Sequence, residues 1–543
     1  MGKAEHFDIV VCGGGITGAG IARDAALRGL RVALLEKRDF GSGTSSKSSK
    51  LIHGGLRYLQ QGRLRLVFEG TSERAVQMAL APHLVRPIPF LVPVYRGQGT
   101  GLGTMDVGLW LYDALALFRV PKVHRTYRVK RARELEPALA TENLRGIVEY
   151  YDCLTDDARL VLENILDAKA LGADVRSYTR VTELVRDGNG RTAGVRAVDE
   201  LTGAVDEIRA TTVVLAAGPW TDSLLPALSL GGERPLLRPT KGVHIVVDRA
   251  RLPVSRAVTM FTRDRRAIFC LPWVERTVIG TTDTDERGDP SEVAATLADV
   301  EYLCEHANQF FPASRLTPDD VIATWAGLRP VIAAPDGRES DVSREHQVFV
   351  RPEGVVIIAG GKLTTYRRMA KEAVDAAVRL LAGSNGHGTI PRSTTRTRPL
   401  PGALGLSAPT QTAVEEVARD VERRSQVPAR IATHLAQTYG TRAGAVVDRG
   451  RSDPSLLDRI DPELPYVWAE VCHAVEHEIV RTIEDVLVRR IPLCLRSRDQ
   501  GLGAVPRVAA VLGATLGWSP AESERQTGAY RRYVEGTRRY RHA

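Results

Sequence analysis

The sequence predicts an α/β protein in which a Rossmann-like domain is interrupted by a β-rich domain and followed by a helical domain. Three observations support this expectation: a strand–turn–helix–strand pattern in the first forty residues, two later strands that run into glycines, and helical patterns beyond residue 400. The chain has 543 residues, and a typical domain size of roughly 150 residues makes two to three domains the expectation.

The overall composition is that of an ordinary folded protein. Hydrophobic residues make up 43% of the chain and charged residues 26%, which excludes a disordered, collagen-like or fibrous protein. The most apolar stretch, residues 104–120, contains Asp106 and Asp113, so no run approaches the ~18 apolar residues of a membrane span. The N-terminus lacks the features of a signal peptide, and six cysteines without a CxxC pair fit reduced thiols. We therefore expect a cytoplasmic protein.

The formal net charge is +9, and part of this excess is local. Residues 114–133 carry seven basic residues and no acid, and the tail from residue 530 adds five arginines. Such patches attract phosphates on lipids, nucleic acids or small substrates, and a solvated basic face is the plain alternative. No nucleic-acid-binding motif accompanies them, so we expect no nucleic-acid partner. The basic residues are Arg119, Lys122, Arg125, Arg128, Lys130, Arg131 and Arg133, and in the tail Arg531, Arg532, Arg538, Arg539 and Arg541.

The first forty residues predict a βαβ unit. A β-rich run at residues 7–11 leads into a glycine-rich turn, a helix extends to about residue 28, and a second strand ends at Glu36. Two later segments, residues 212–218 and 355–361, repeat the pattern of a strand followed by glycine. Further β-rich stretches lie between them, at residues 244–247, 267–272 and 277–280.

The composition changes near residue 383, where Gly/Ser-rich and Pro/Arg/Thr-rich stretches predict a linker. Beyond it, helical patterns cover residues 410–424, 429–439, 466–490 and 507–516. We expect a discontinuous cofactor-binding domain at 1–90, 150–230 and 345–385, a β-rich substrate domain at 91–149 and 231–344, a linker at 386–400, and a helical C-terminal domain at 401–543.

The glycine-rich turn has the spacing of a dinucleotide-binding site. Gly13 makes the tight turn, Gly15 lets the backbone approach a pyrophosphate, and Gly18 packs the helix against the strand. The helix N-terminus offers N–H groups to that anion, and Glu36 can accept the ribose hydroxyls. An acid at this position would repel a 2′-phosphate, so NADP is not expected. The fingerprint alone does not separate FAD from NAD.

The serine- and lysine-rich residues 43–58 that follow help to make that distinction. Read alone, this segment fits a flexible loop. Its hydroxyl and N–H groups also suit a cradle for phosphate and flavin, with His53 and Arg57 projecting from its end. Both interpretations stay open at this point.

Seven motifs follow one another along the chain: GGGITGAGIARDAALRGLRVALLEK, SSKSSKLIHGGLRYLQ, DCLTDDARLVLEN, AAGPWTD, GTTDTD, AGLRPV and GGKLTTYRRMA. Together they resemble the FAD-dependent glycerol-3-phosphate dehydrogenases, over residues 7 to about 369. Residues 475–495 fit the C-terminal domain of that family, whereas residues 401–461 match no motif. The resemblance implies a Rossmann-like FAD domain of the glucose-oxidase/D-amino-acid-oxidase type, an inserted antiparallel β substrate domain and a helical C-terminal domain.

The resemblance also implies a reaction: oxidation of sn-glycerol 3-phosphate to dihydroxyacetone phosphate, with hydride transferred to FAD and electrons passed to a membrane quinone. One alternative keeps the fold but uses dioxygen and releases hydrogen peroxide. An alternative of a different class is a non-catalytic flavoprotein adaptor, against which the presence of His53, Arg57, Arg329 and Lys362 argues. Whether the chain forms a homodimer is left open.

Oxidation of an alcohol beside a phosphate needs an anchor for the dianion and a proton acceptor. Arginine suits the anchor because its planar fork grips phosphate bidentately, and the resemblance places Arg57 and Arg329 at the substrate. Histidine suits the acceptor because it titrates near neutrality; the resemblance places His53 beside the flavin, and His244 is the alternative. Lys362 would stabilise the reduced flavin or the substrate. We also expect Tyr58, His244 and Thr365 to contact the substrate.

Two metal-like patterns are rejected. Residues 473–477 match the inverted zinc-peptidase signature, but the sequence offers no third zinc ligand. Residues 283–294 begin with the acidic pattern of a calcium-binding loop, but the fifth and twelfth positions, Arg287 and Ala294, cannot supply the required oxygen ligands. We expect no metal. Val181 should lie against the adenine by the resemblance. The expected cofactor contacts are Gly13, Gly14, Gly15, Ile16, Thr17, Gly18, Glu36, Lys37, Thr44, Ser45, Ser48, Ser49, Gly55, Val181, Ala217, Gly218, Trp220, Gly360, Leu363 and Thr364.

A lipid-soluble quinone requires the protein to reach a bilayer surface. Residues 109–118 are apolar and aromatic and precede the basic run that ends at Arg133. An apolar insertion flanked by positive charge suits a monotopic anchor, whereas core packing is the plain alternative, and the basic tail is a second candidate contact. The prediction is peripheral association with the anionic inner face of the cell membrane.

Overall fold

The structure is a computed structural model that describes residues 6–60, 62–97, 101–231, 234–262, 266–333, 345–382 and 389–542; within helix and strand, the side chains of Arg57 and Gln60 lie outside this description. The strands are β1 (His6–Cys12), β2 (Val32–Leu35), β3 (Leu51–Ile52), β4 (Arg86–Tyr95), β5 (Arg125–Arg128), β6 (Leu144–Leu154), β7 (Asp174–Arg176), β8 (Thr179–Arg186), β9 (Thr192–Asp199), β10 (Val205–Leu215), β11 (Thr240–Asp248), β12 (Ala257–Phe261), β13 (Ala267–Trp273), β14 (Arg276–Gly280), β15 (Thr284–Asp285), β16 (Val321–Arg329), β17 (His346–Arg351) and β18 (Val355–Gly360).

The helices flank both sheets and then form the C-terminal region. They are α1 (Ile16–Leu27), α2 (Leu56–Gln60), α3 (Leu64–Leu80), α4 (Leu102–Leu115), α5 (Val129–Leu135), α6 (Asp157–Ala170), α7 (Thr221–Ala227), α8 (Leu297–Phe310), α9 (Tyr366–Ala382), α10 (Gln411–Ser425), α11 (Ala429–Tyr439), α12 (Ala443–Val447), α13 (Trp468–His477), α14 (Leu493–Arg496), α15 (Val505–Leu516) and α16 (Pro520–Thr537).

The first sheet has the strand order β17-β18-β10-β1-β2-β7, with β9 paired to β10 and β8 to β9. Strands β18, β10, β1, β2 and β7 are parallel to their neighbours in this order, whereas β17, β9 and β8 pair antiparallel. Cys12 lies opposite Leu215, and Leu215 lies opposite Ile357. Because parallel strands end at the same edge, the three predicted strand-then-glycine turns meet at one edge of this sheet.

Helices α1, α6 and α9 cover one face of the first sheet. The second half of β1, residues 9–12, is a continuous apolar run because it is buried on both faces of the sheet. Small residues in α1 let α9 approach closely: a Cβ added at Gly20 would lie 3.0 Å from the Cβ of Ala370. This packing fixes the N-terminal end of α1 at the edge where the glycine turns meet.

The second sheet has the order β15-β11-β14-β13-β12-β4-β6-β3, with β16 on β11 and β5 on β6. Its pairs are antiparallel, apart from the parallel contact of β12 with β4. One face packs against α5 and α8 and the other against α2, α3 and α4. The prediction of an α/β fold with an inserted, largely antiparallel sheet is confirmed.

The sheets divide the chain differently from the expected segments. Leu51–Ile52 pairs with the end of β6, and Arg86 at the start of β4 pairs with Leu154. Parts of the expected segments 1–90 and 150–230 therefore belong to the second sheet. Hydrogen bonding between strand residues that are 68 to 103 positions apart decides this division, and the local pattern of the sequence does not contain it.

The helix predicted for residues 466–490 is broken. Helix α13 ends at His477, and a π-helix follows at Asp485–Arg490. In the break, Thr482 and Asp485 form a reciprocal pair of the capping-box type: the Thr482 hydroxyl accepts a hydrogen bond from the Asp485 N–H, and the Asp485 carboxylate accepts from the N–H groups of Thr482 and Arg481. At the end of the π-helix, the side chains of Arg489 and Arg490 both pair with the fully buried Asp39 beside the first sheet.

The remaining sequence expectations concern the linker and the membrane. Residues 389–400 pack on the first domain, where the side chain of Arg23 donates to the carbonyl oxygens of Arg398 and Pro399; residues 383–388 lie outside the described residues. None of the helices in the described ranges is both long and apolar enough to cross a bilayer.

Candidate active site

The turn between β1 and α1 has the geometry of a phosphate cradle. Gly13 has a φ of +113°, and a Cβ there would lie 2.5 Å from the carbonyl oxygen of Ala216. A Cβ at Gly18 would lie 1.8 Å from the carbonyl oxygen of Gly13, so this position closes the helix onto the strand. A Cβ at Gly15 would meet only the hydroxyl of Ser45, at 3.1 Å. Gly15 therefore leaves its backbone open toward the cavity.

The first cavity has a volume of about 400 Å³ and extends along the edge of the first sheet. Gly14 does not line this cavity; its backbone N–H donates to the carboxylate of Glu36 at 2.6 Å. Burial raises the pKa of Glu36, against the lowering effect of hydrogen bonds from the backbone of Arg38 and Gly14. The expected cofactor residues that line this cavity are Gly13, Gly15, Ile16, Thr17, Glu36, Lys37, Thr44, Ser45, Val181, Ala217, Gly218, Trp220, Gly360 and Leu363.

One end of the first cavity is built by aromatic and apolar groups. The ammonium of Lys37 lies 4.0 Å from the ring centroid of Trp220, and Val181 on β8 contributes a buried side chain. Toward the other end, the hydroxyl of Thr44 donates to the carbonyl oxygen of Leu328. The serine-rich segment is thus an ordered wall, and the flexible-loop interpretation is wrong.

A second cavity of about 210 Å³ adjoins the first and shares Ile16, Thr44, Ser45 and Lys362 with it. A third, of about 160 Å³, shares His53, Tyr58 and Arg329 with the second. Expected residues that line the second cavity are Ser48, Ser49, His53, Tyr58, His244, Arg329, Lys362, Leu363 and Thr364.

Arg329 stands at the end of β16, on the wall shared by the second and third cavities. Its guanidinium donates to the carboxylate of Asp283 at 3.1 Å, and to the hydroxyl of Thr281 and the carbonyl oxygen of Thr282, each at 3.1 Å. Gly242 opposite must be a glycine, since a Cβ there would lie 2.5 Å from the guanidinium. The fork is therefore held in place at the cavity wall.

The two candidate histidines have different surroundings. The backbone N–H of His53 donates to the hydroxyl of Thr364 at 3.1 Å, and His53 lines both the second and third cavities. His244 is buried, stacks on Trp325 at 4.9 Å and shares a 2.8 Å hydrogen bond with the hydroxyl of Ser49. Burial, helped by the positive charges of Arg329 and Lys50, holds the pKa of His244 well below its usual value.

Lys362 follows the glycine turn of β18 and reaches both the first and second cavities. Its ammonium lies 3.8 Å from the ring centroid of Tyr58. Thr365, expected at the substrate, is buried, and its hydroxyl donates to the carbonyl oxygen of Lys362 at 3.4 Å. Thr365 lines none of these three cavities.

Arg57 lies on α2, but its side chain is outside the described residues. Gly55, another expected cofactor contact, lines the third cavity.

The site contains side chains that sequence reasoning did not single out. Lys47 lines the first two cavities, and burial lowers its pKa, with Glu484 opposing this effect. Asp283 orients Arg329, and Asp152 in the third cavity accepts hydrogen bonds from the Gly54 N–H and the Tyr112 hydroxyl. Each lies in a quoted motif, SSKSSK, GTTDTD or DCLTDD, which was the available signal.

The described residues contain no group of three or more His, Cys, Asp or Glu side chains arranged to hold a metal ion. In the zinc-like pattern, Glu476 pairs instead with Arg449. The first cavity, in contrast, fits FAD: it offers the open backbone at Gly15 for a pyrophosphate, the carboxylate of Glu36 for a ribose, and an elongated wall that ends at Lys362.

Comparison with known proteins gives two matches to families. Residues 8–376 match the family described as FAD dependent oxidoreductase. Residues 393–523 match the family described as the C-terminal domain of alpha-glycerophosphate oxidase. The second match covers all of residues 401–461, in which the sequence alone offered no motif.

Individual relatives cover nearly the whole chain. Glycerol-3-phosphate dehydrogenase 2 of Mycobacterium tuberculosis is 40% identical over 532 residues, which are 98% of this chain and 88% of that protein. Aerobic glycerol-3-phosphate dehydrogenase of Staphylococcus aureus is 35% identical over 527 residues, 97% of this chain and 94% of that protein. The crystal structure of a glycerol-3-phosphate dehydrogenase from Bacillus halodurans complexed with FAD has a TM-score of 0.79 and 32% identity, covering 98% of this chain and 95% of that one.

Proposed function

This chain belongs to the FAD-dependent oxidoreductase family, with FAD as its cofactor, and on that premise we propose that it oxidises sn-glycerol 3-phosphate to dihydroxyacetone phosphate and passes the electrons to a membrane quinone. The observation that carries the proposal is the second cavity, where His53, Arg329 and Lys362 converge beside the first. These groups supply a proton acceptor, a phosphate anchor and a positive charge near the cofactor.

The reaction divides its tasks among these residues. FAD, when bound, supplies the hydride acceptor. His53 removes the proton of the C2 hydroxyl as the C2–H bond breaks, and Arg329 holds the phosphate through its guanidinium fork. His244 is the weaker candidate for the base, because burial and two nearby cations hold its pKa well below its usual value and its ring is engaged by Ser49. Lys362 stabilises developing negative charge from the helix N-terminal side.

The decisive experiment is anaerobic addition of glycerol 3-phosphate to the purified yellow protein. Bleaching of the flavin absorbance is expected, because hydride leaves the substrate for the cofactor. Recolouring should be slow in air and fast with a soluble quinone. Unbleached flavin would contradict the substrate. Rapid recolouring in air with release of hydrogen peroxide would favour the oxidase, an alternative suggested by the C-terminal match to alpha-glycerophosphate oxidase.

Arg329→Lys is expected to lower kcat/KM for glycerol 3-phosphate by roughly 30- to 150-fold. Losing a charge-assisted bidentate contact costs about 2–3 kcal/mol, and an ammonium cannot reproduce the fork. Steady-state kinetics of the flavin-loaded variant measures the change. Arg251→Lys is the matched control, because Arg251 is exposed and pairs with Asp320, which directly precedes the start of β16. Equal kcat/KM in the two variants would place the phosphate elsewhere.

The membrane part of the proposal rests on helix α4 and the turn that follows it. Met105, Leu109 and Tyr112 are buried, so one face of this helix packs into the core instead of serving as a membrane anchor. The opposite face is apolar but exposed, and it continues onto the neighbouring helix α3. We call these exposed side chains the apolar patch: Leu64, Phe68, Val107, Trp110, Leu111, Leu117 and Phe118.

Positive charge and the active site both adjoin the apolar patch. All seven basic residues of 119–133 are exposed. On the inner side of α4, the hydroxyl of Tyr112 would lie 2.2 Å from a Cβ at Gly54, next to His53. A bilayer contact here would therefore bring a lipid-soluble quinone close to the site. In the tail, Arg538 and Arg541 are engaged with Gln500 and the carbonyl oxygen of Val321, which makes the tail the weaker candidate.

The variant carrying Lys122→Gln, Arg125→Gln and Arg128→Gln is expected to bind anionic vesicles roughly 100-fold more weakly than the unmodified protein. Each basic residue near an anionic surface contributes about 1 kcal/mol, and high salt should weaken binding of the unmodified protein because the attraction is screened. Vesicle flotation at low and high salt measures both effects. The control carries Arg531→Gln and Arg532→Gln in the tail. An unmodified protein that stays unbound at low salt, or a control that is weakened as much, would contradict an anchor at α4.

A further inference from the structure

A fourth cavity lies where the C-terminal helices meet both sheets, and its lining shares no residue with the second or third cavity. It has a volume of about 240 Å³, similar to the 210 Å³ of the second cavity. Lys50, Arg86 and Arg159 line it from the N-terminal part of the chain, and Arg430, Arg490 and Arg496 from the C-terminal part. We call it the junction cavity.

The lining of the junction cavity is strongly cationic. It contains these six basic side chains and a single acidic one, Asp156. Five of the basic groups have carboxylate partners that lie outside the lining, and two of those five share one carboxylate. These ion pairs are Lys50–Asp157, Arg159–Glu478, Arg490–Asp39, Arg496–Glu275 and Arg430–Glu275.

Arg86 is the sixth basic group, and it differs from the others. Within the described part of the chain it has no ion pair; its guanidinium donates to the side-chain oxygen of Gln437, a neutral acceptor. Burial lowers the pKa of Arg86 to about 10, with the charge of Asp156 opposing and that of Arg496 adding to this effect. Arg86 is half-buried, and withdrawing a guanidinium from water without an ion-pair partner is costly, so an anion in the cavity would reduce that cost.

Two further side chains in the lining, Arg159 and His83, have nitrogen atoms that make no hydrogen bond within the described residues. Arg159 is 1% exposed, and its Nε and Nη2 atoms have no hydrogen-bond partner among the described residues. His83 is 0% exposed, and neither of its ring nitrogens has one. Buried polar atoms of this kind normally find a partner from protein, water or ligand. Several unused hydrogen-bonding groups thus lie around the same cavity as Arg86.

We propose that the junction cavity is a second anion site, which takes a compact phosphate-like dianion between Arg86 and Arg159. Such a ligand suits planar guanidinium groups, which hold phosphate oxygens bidentately. The cavity opens at its rim, where Arg430 and Val274 are exposed, so a solute can enter from water. The site is separate from the phosphate anchor at Arg329, which lines other cavities.

The position of the site gives it a structural role. Arg86 begins β4, Arg159 lies on α6, and Arg430 and Gln437 lie on α11 of the C-terminal region. A dianion there ties α11 to both sheets. Lys50, also in the lining, is followed directly by β3 and then by His53, so occupancy stiffens the segment that carries the proposed base. The bound anion is therefore placed to act as an effector of the oxidation.

Equilibrium dialysis of the flavin-loaded protein against labelled inorganic phosphate tests this site. The unmodified protein should bind one phosphate that Arg86→Gln loses, with an affinity drop of at least about 30-fold for removal of a charge-assisted contact. Arg86→Lys should retain part of the affinity. Arg423→Gln, on an exposed arginine of the C-terminal region, is the matched control and should bind as the unmodified protein does.

Gln437→Glu provides an independent test that does not depend on removing an arginine. The two side chains have nearly the same shape, and the new carboxylate would sit beside Arg86 as an internal counter-charge. This variant should lose the same phosphate, and added phosphate should no longer raise its melting temperature through this site, since only ligands bound to the folded state stabilise it. Unchanged phosphate stoichiometry in both Arg86→Gln and Gln437→Glu would overturn the proposal, whatever the activity of the enzyme.

Discussion

His53→Gln is expected to lower kcat for glycerol 3-phosphate by about 100- to 10,000-fold while FAD stays bound, the usual range for loss of a general base. Glutamine keeps much of the size and polarity of histidine, but it cannot accept the hydroxyl proton. Thr364 fixes the backbone of residue 53 through hydrogen bonds in both directions, so the variant should keep the local fold. The rate of flavin bleaching after anaerobic mixing measures the effect directly.

His244→Gln serves as the comparison for that experiment. His244 is buried, stacked on Trp325 and bonded to Ser49, so its replacement should disturb packing and substrate affinity more than proton transfer. A smaller loss of bleaching rate is therefore expected. If His244→Gln bleaches more slowly than His53→Gln, with both proteins fully loaded with flavin, the roles of the two histidines are reversed.

Gly15→Val is expected to yield colourless, inactive protein. A Cβ at Gly15 meets only the hydroxyl of Ser45, so the chain itself can tolerate a side chain there. The added valine would instead occupy the space through which a pyrophosphate approaches the N-terminus of α1. The ratio of flavin to protein absorbance, with circular dichroism to confirm folding, measures the outcome.

Gly188→Val is the matched control, because a Cβ at Gly188 meets nothing within 4 Å. That variant should bind flavin normally. A folded Gly15→Val protein with a full complement of FAD would show that the pyrophosphate does not pass over this turn.

The cofactor side of the site was largely predictable from the sequence. The glycine turn follows from short-range spacing, and the later turns at Ala217 and Gly360 each follow a recognisable apolar strand. Parallel pairing of β1, β10 and β18 then brings the three turns to one edge. Here the local pattern and the long-range pairing agree, because the ends of these strands that lead into the turns are buried and apolar.

The substrate side was less predictable, because its geometry comes from contacts between distant segments. The guanidinium of Arg329 is held by residues 46 to 48 positions away along the chain, which no local pattern encodes. Thr365 follows Thr364 in the same turn, yet only Thr364 lines a cavity, since the first turn of a helix directs neighbouring side chains differently. The break after α13 likewise contains a reciprocal pair of hydrogen bonds between Thr482 and Asp485, which the helical pattern of the sequence does not reveal.

The pairing of Asp39 with Arg489 and Arg490 has a consequence for biosynthesis. Asp39 and Arg490 are 451 residues apart in the chain, and at ribosomal speeds of about 5–20 residues per second the second emerges roughly 20 to 90 s after the first. During that interval the carboxylate beside the flavin-binding sheet has no cationic partner from the C-terminal region, and an unpaired charge resists burial. The surroundings of Asp39 therefore reach their final packing only after Arg489 and Arg490 have emerged, and this part of the nascent chain stays open to chaperones and proteases until translation is nearly complete.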